Sequence, residues 1–118
     1  MLSGIELFIG AKYEKPFGHI ILCGLGGIFI ELINDVSARL LPLCKEEALD
    51  MIQSLKSYKI FKGIRGQNPI DENVFSDIIL RLSALIQIAP EITELDLNPL
   101  LASKDKIIAV DARIKIGD

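Results

Sequence analysis

ELDLNPL, residues 94–100, alternates its leucines with Glu94, Asp96 and Asn98. That is the period of two expected of a strand with one apolar face and one polar face. Working outward, Ile92–Leu101 and Lys106–Ile116 are both alternating, β-prone runs, and the polar stretch Ser103–Lys106 separates them, so the pair predicts a hairpin. A two-residue loop at Lys104–Asp105 sets Asn98 opposite Asp111 and Asp96 opposite Arg113. Directly opposed residues share a face, with Cβ atoms roughly 4.5–5.5 Å apart, so an amide oxygen and a carboxylate converge on one point. Magnesium takes such oxygens, keeps several waters and completes its octahedron with substrate phosphates, so Asn98 and Asp111 are candidate metal ligands. Two considerations weigh against this. Hairpins often carry exposed Asp and Asn for solubility alone, and Pro99, which cannot donate to the ladder, is a place for a bulge that turns side chains over. Asp96 has a simpler expectation, a cross-strand salt bridge with Arg113.

The rest of the chain predicts one α+β layer, helices against a mostly antiparallel sheet. Ile5, Leu7 and Ile9 begin a strand, Tyr13–Gly18 is a turn by its Pro16 and Gly18, and His19–Cys23 resumes extended. Phe29–Ile33 reads as a further strand closed by Asn34 and Asp35, with Val36–Leu41 pairing back on it before Pro42. From Lys45 the period changes: Ala48, Leu49, Ile52 and Leu55 form a helical stripe with Glu46, Glu47 and Asp50 near its N-terminal end, which predicts a helix over Lys45–Ser57. A second helix starts at an Asp71 N-cap, carries Val74, Phe75, Ile78, Ile79, Leu82, Leu85 and Ile86 on one face, and ends before Pro90. Lys56–Gly66 between the helices reads as a Lys- and Gly-rich loop.

Composition bounds the function. At 118 residues one core is expected. Half the residues are hydrophobic and mean hydropathy is +0.40, high enough to suggest an apolar face meant for a partner. The longest nearly apolar run, Ile20–Ile30, is broken by glycines and falls short of the roughly 18–20 residues needed to cross a bilayer. The N-terminus lacks the basic start and cleavage site of a secretory signal, so a cytoplasmic protein is expected. Cys23 and Cys44 have no metal-ligand spacing, and a net charge of -3 with scattered lysines gives no footprint for nucleic acid.

Gly24-Leu-Gly-Gly27 is a second candidate, a glycine loop whose backbone amides can approach phosphate oxygens. Neither dinucleotide-binding spacing nor a following Gly-Lys-Ser/Thr is present, and a tight bend between strands is the simpler reading. His19 stands alone, without an acid or cysteine to complete a ligand set, and is expected to be packed or at the surface. Lys56, Lys59, Lys62 and Arg65 are a minor candidate for phosphate binding, and a solvated loop is the simpler reading.

Taken in order, GIELFIG (4–10), FGHIILCGLGGIFIELINDVSARLLPL (17–43), KGIRG (62–66), ELDLNPL (94–100) and AVDARI (109–114) resemble the NDP-forming acyl-CoA synthetases, specifically the second half of their ATP-grasp domain. The β subunit of succinyl-CoA synthetase is a more distant likeness. The resemblance implies that residues 1–118 are the C-terminal subdomain of an ATP-grasp nucleotide-binding domain. Its first subdomain and the CoA-binding and ligase domains would be carried elsewhere, and a bare surface would be left open to self-association. It further implies that Glu6 contacts ribose hydroxyls, that Gly26 and Gly27 lie at the phosphates of ATP or ADP, and that Asn98 and Asp111 hold Mg2+. Arg39, at a position usually Arg, either steadies a phosphate or pairs with Glu31 or Asp35. His19 replaces a usual Pro and is not the phosphorylated histidine, which lies outside this region. The implied reaction interconverts acyl-CoA, phosphate and ADP with acid, CoA and ATP, and the chain alone is expected to be inactive. The alternative is a regulatory ATP-grasp region of the kind fused to protein-lysine acetyltransferases.

Overall fold

A computed structural model describes residues 5–26, 35–63, 68–103 and 106–117. Strands β1 (Ile5–Glu14), β2 (Gly18–Leu25) and β3 (Val36–Leu40) precede helix α1 (Lys45–Gln53), a 3-10 turn (Tyr58–Lys62) and helix α2 (Glu72–Ile88). Strands β4 (Ile92–Ser103), β5 (Lys106–Ala109) and β6 (Ala112–Ile116) follow. The six described strands form one sheet in the order β3-β2-β1-β4-β5, with β6 also on β4, and every pairing among them is antiparallel. The α+β architecture is as the sequence predicts.

Both helices cover one face. β1 sends Leu7, Ile9 and Ala11 to that side, opposite Leu25, Cys23 and Ile21 of β2 and Leu100, Leu97 and Leu95 of β4. Ala48, Met51 and Ile52 of α1 and Phe75, Ile79 and Ile86 of α2 close over them. Phe75 stacks on Phe61 of the 3-10 turn at 5.9 Å between centroids. The predicted Asp71 cap holds, its side chain accepting from the Asn73 and Val74 N–H groups.

Two expectations need correction. α1 stops at Gln53 rather than Ser57, and part of the supposed loop is the 3-10 turn, because Phe61 is drawn into the core. β3 pairs with β2, Val36 opposite Gly24; the expected pairing of Val36–Leu41 with Phe29–Ile33 lies outside the described residues. The final run is split in two at Val110–Asp111. No described helix is long and apolar enough to cross a membrane.

Candidate functional site

The split in the last run follows from Pro99. On its β1 side, β4 pairs Leu100 with Leu7 and Leu97 with Ile9, so Asn98 and Pro99 together oppose Phe8 alone, which is a bulge. On the other side Leu100 faces Ala109 and Leu97 faces Ala112, leaving Val110 and Asp111 across from the same two residues. The Asn98 N–H donates to the Asp111 carbonyl at 3.2 Å and the Val110 N–H to the Pro99 carbonyl at 2.9 Å. Because Leu97, Leu100, Ala109 and Ala112 all belong to the helix-covered side, Asn98 and Asp111 both leave on the open side. The predicted register is therefore observed, and the bulge preserves the pairing rather than undoing it.

The same parity places the other candidates. Glu6, exposed, and Gly26, whose N–H donates to the Glu6 carbonyl at 2.8 Å, are on the open face. Gly26 also lies against Asn98, close to its side-chain oxygen. Gly27 lies outside the described residues. Arg39 is not brought to this face: it opposes Ile21, and its guanidinium donates to Asp50 Oδ2 at 2.9 Å and to Ser37, Ser54 and the Ala38 carbonyl. Its partner is Asp50 on α1.

Asp111 is exposed and its Oδ1 accepts the Ala112 N–H at 2.9 Å. Arg113 Nε stands 3.9 Å from Asp111 Oδ2, so the expected Asp96–Arg113 ion pair is corrected: the two are opposed in register, but Arg113 leans to Asp111. A shallow groove lined by Glu94, Asp96, Arg113 and Lys115 runs on from there. The donor set fits a hard divalent cation, an amide carbonyl and a carboxylate with free lone pairs, both oxygen ligands on one face.

Asp35 and Gly24 shape the surroundings in ways the sequence reading did not give them. Asp35, buried, accepts from the Lys56 and Ser57 N–H groups at 2.7 Å each and from the Ser57 hydroxyl, tying the entry of β3 to the turn after α1. Burial raises its pKa, but these hydrogen bonds and the Lys56 charge outweigh it and hold the carboxyl below its ordinary 3.8. Gly24 admits no side chain, since a Cβ there would lie 2.6 Å from the Asp35 carbonyl oxygen and 2.9 Å from the Phe8 ring. Nothing local announces either contact. His19 is structural, its Nε2 2.7 Å from the Ile92 carbonyl and its ring edge-on to Tyr13. Cys23 is buried under the helices, and burial pushes its thiol up to about 12.

The ATP-grasp domain family matches residues 1–116. The β subunit of ADP-forming acetate–CoA ligase I from Pyrococcus furiosus is 44% identical over 111 residues, 94% of this chain and 48% of that subunit. ADP-forming acetate–CoA ligase I from Archaeoglobus fulgidus is 38% identical over 98% of this chain, which is 17% of that enzyme. Among solved structures, the dinucleotide-forming acetyl-coenzyme A synthetase 1 of Ca. Korarchaeum cryptofilum, in complex with coenzyme A and Mg-AMPPCP, superposes with a TM-score of 0.90 at 41% identity. That match covers 98% of this chain and 55% of that one. The chain thus spans about half the length of the β subunit it matches.

Proposed function

The chain belongs to the ATP-grasp domain family, and from that premise we propose that residues 1–118 are the second, C-terminal subdomain of the nucleotide-binding domain of a cytoplasmic NDP-forming acyl-CoA synthetase. The observation that carries this reading is the placement of Asn98 and Asp111 opposite one another on the open face. Asn98 and Asp111 would hold Mg2+, and Glu6, on the neighbouring strand of the same face, would accept hydrogen bonds from ribose hydroxyls. When bound, Mg2+ neutralises charge on a transferred phosphoryl group and fixes its alignment.

The open face would be covered by a first ATP-grasp subdomain, and CoA-binding and ligase domains would supply the acyl chemistry. The whole assembly would interconvert acyl-CoA, phosphate and ADP with acid, CoA and ATP. This chain's own residues bind and orient the nucleotide, so alone it is not active. Arg39 has no part in this reading, being engaged by Asp50 on the other side of the sheet.

The test fuses the chain to the N-terminal half of the Pyrococcus furiosus β subunit and titrates Mg-ATP by calorimetry. Binding is expected, weakened at least about tenfold by Asp111→Ala, since even partners outside a metal's coordination sphere are worth that much. Unchanged binding in Asp111→Ala would refute the metal assignment.

A further inference from the structure

We infer that Gly26 is a positioning residue for Asn98: by lacking a side chain it lets the Asn98 carbonyl oxygen face a cation shared with Asp111. The inference rests on the metal reading proposed above. Backbone conformation does not demand glycine at this position, because the described glycines with positive φ are Gly18, Gly63 and Gly117. Its N–H is not free for a phosphate either, being given to the Glu6 carbonyl at 2.8 Å. What glycine supplies is space.

A Cβ at Gly26 would stand 3.3 Å from the Leu7 carbonyl oxygen and 3.4 Å from Asn98 Oδ1. Those distances are tight without being impossible, so a neighbour must give by a few tenths of an ångström. The two neighbours differ in their freedom. Leu7 is fully buried and paired on both sides, with Leu25 and with Leu100, so its carbonyl is fixed by the ladder. Asn98 presents the end of a side chain on the open face, and its amide can rotate. A methyl at Gly26 keeps its 3.3 Å contact with the Leu7 carbonyl oxygen and turns the Asn98 amide away. Such a movement is small for the fold but large for magnesium, which demands near-ideal octahedral geometry at about 2.1 Å.

The experiment titrates Mn2+ alone, a paramagnetic stand-in for Mg2+, into the 15N-labelled chain and reads broadening at the Asn98 and Asp111 signals. Thermal midpoints are recorded alongside. Gly26→Ala, Asn98→Ala and the double variant are compared with wild type. The expected result is an Mn2+ affinity about tenfold lower in Gly26→Ala, a midpoint shifted by no more than about 4 °C, and no further loss when Gly26→Ala is added to Asn98→Ala. An equal further loss in that background would overturn the inference, because Gly26 would then act without Asn98. Wild-type affinity in Gly26→Ala alongside loss in Asn98→Ala would overturn it too, leaving the metal reading intact. A collapsed midpoint in Gly26→Ala would mean that the ladder, not the amide, gives way, and would overturn it as well. Absence of broadening at both residues in wild type would instead remove the metal reading, and the inference with it.

Discussion

Under the helices, Leu7, Ile9 and Cys23 have no exposure, and the polar side chains that reach this side are engaged: Arg39 by Asp50, His19 by the Ile92 carbonyl. Across the same strands, one residue along, Glu6, Asp96 and Asp111 stand in water, and Gly10 and Gly26 replace side chains. The alternation of a single strand thus separates two kinds of selection. One side is optimised to exclude water and leave nothing unsatisfied. The other keeps charged oxygens exposed and spaced, an arrangement that contributes little to folding.

This contrast can be broken by experiment. The largest expected effect is on the covered side: Phe75→Ala, which empties the stack with Phe61, should cost about 3–5 kcal/mol by urea denaturation. Against a total of roughly 5–15 kcal/mol for a domain of this kind, that is a severe loss. A comparable loss from Asp111→Ala would mean that the open face is structural after all.

Asp35→Asn should cost about 2 kcal/mol at neutral pH, as a buried acceptor of three hydrogen bonds is weakened. Its pH signature is specific. The folded carboxyl lies below its ordinary 3.8, so its contribution is fully present above that value and is lost as pH falls through the folded value. Wild type should therefore lose more stability than Asp35→Asn as the pH drops below 3.8, and parallel acid limbs would refute the role given to Asp35.

Arg39→Ala should have the smallest effect, within about 1 kcal/mol, because its ion-pair partner Asp50 is largely solvent-exposed. Mg-ATP titration of the fused domain should not register the change. A clear fall in nucleotide affinity would restore Arg39 as a phosphate contact and blur the division between the faces.

Much of this was legible in the residues. The period of two in ELDLNPL, the apolar stripe of α2 and its Asp71 cap are local patterns, and local patterns survive folding when tertiary contacts agree with them. The hairpin register was legible too, because a two-residue loop fixes which residues oppose one another. The early end of α1 was not, since the chain leaves the helix to bury Phe61, a contact made with Phe75 from beyond the connecting segment.

Sequence by itself therefore determined the element types, the Asn98–Asp111 pairing and the family likeness. Folding settled sides: that the bulge at Asn98–Pro99 leaves the Asn98 and Asp111 side chains on the open face, that Arg39 falls on the covered one, that β3 joins β2, and that Gly26 sits against Asn98. The reason is that a side chain's face is set by parity along a strand. One inserted residue reverses that parity, and whether the insertion is matched across the ladder depends on strands distant in the chain.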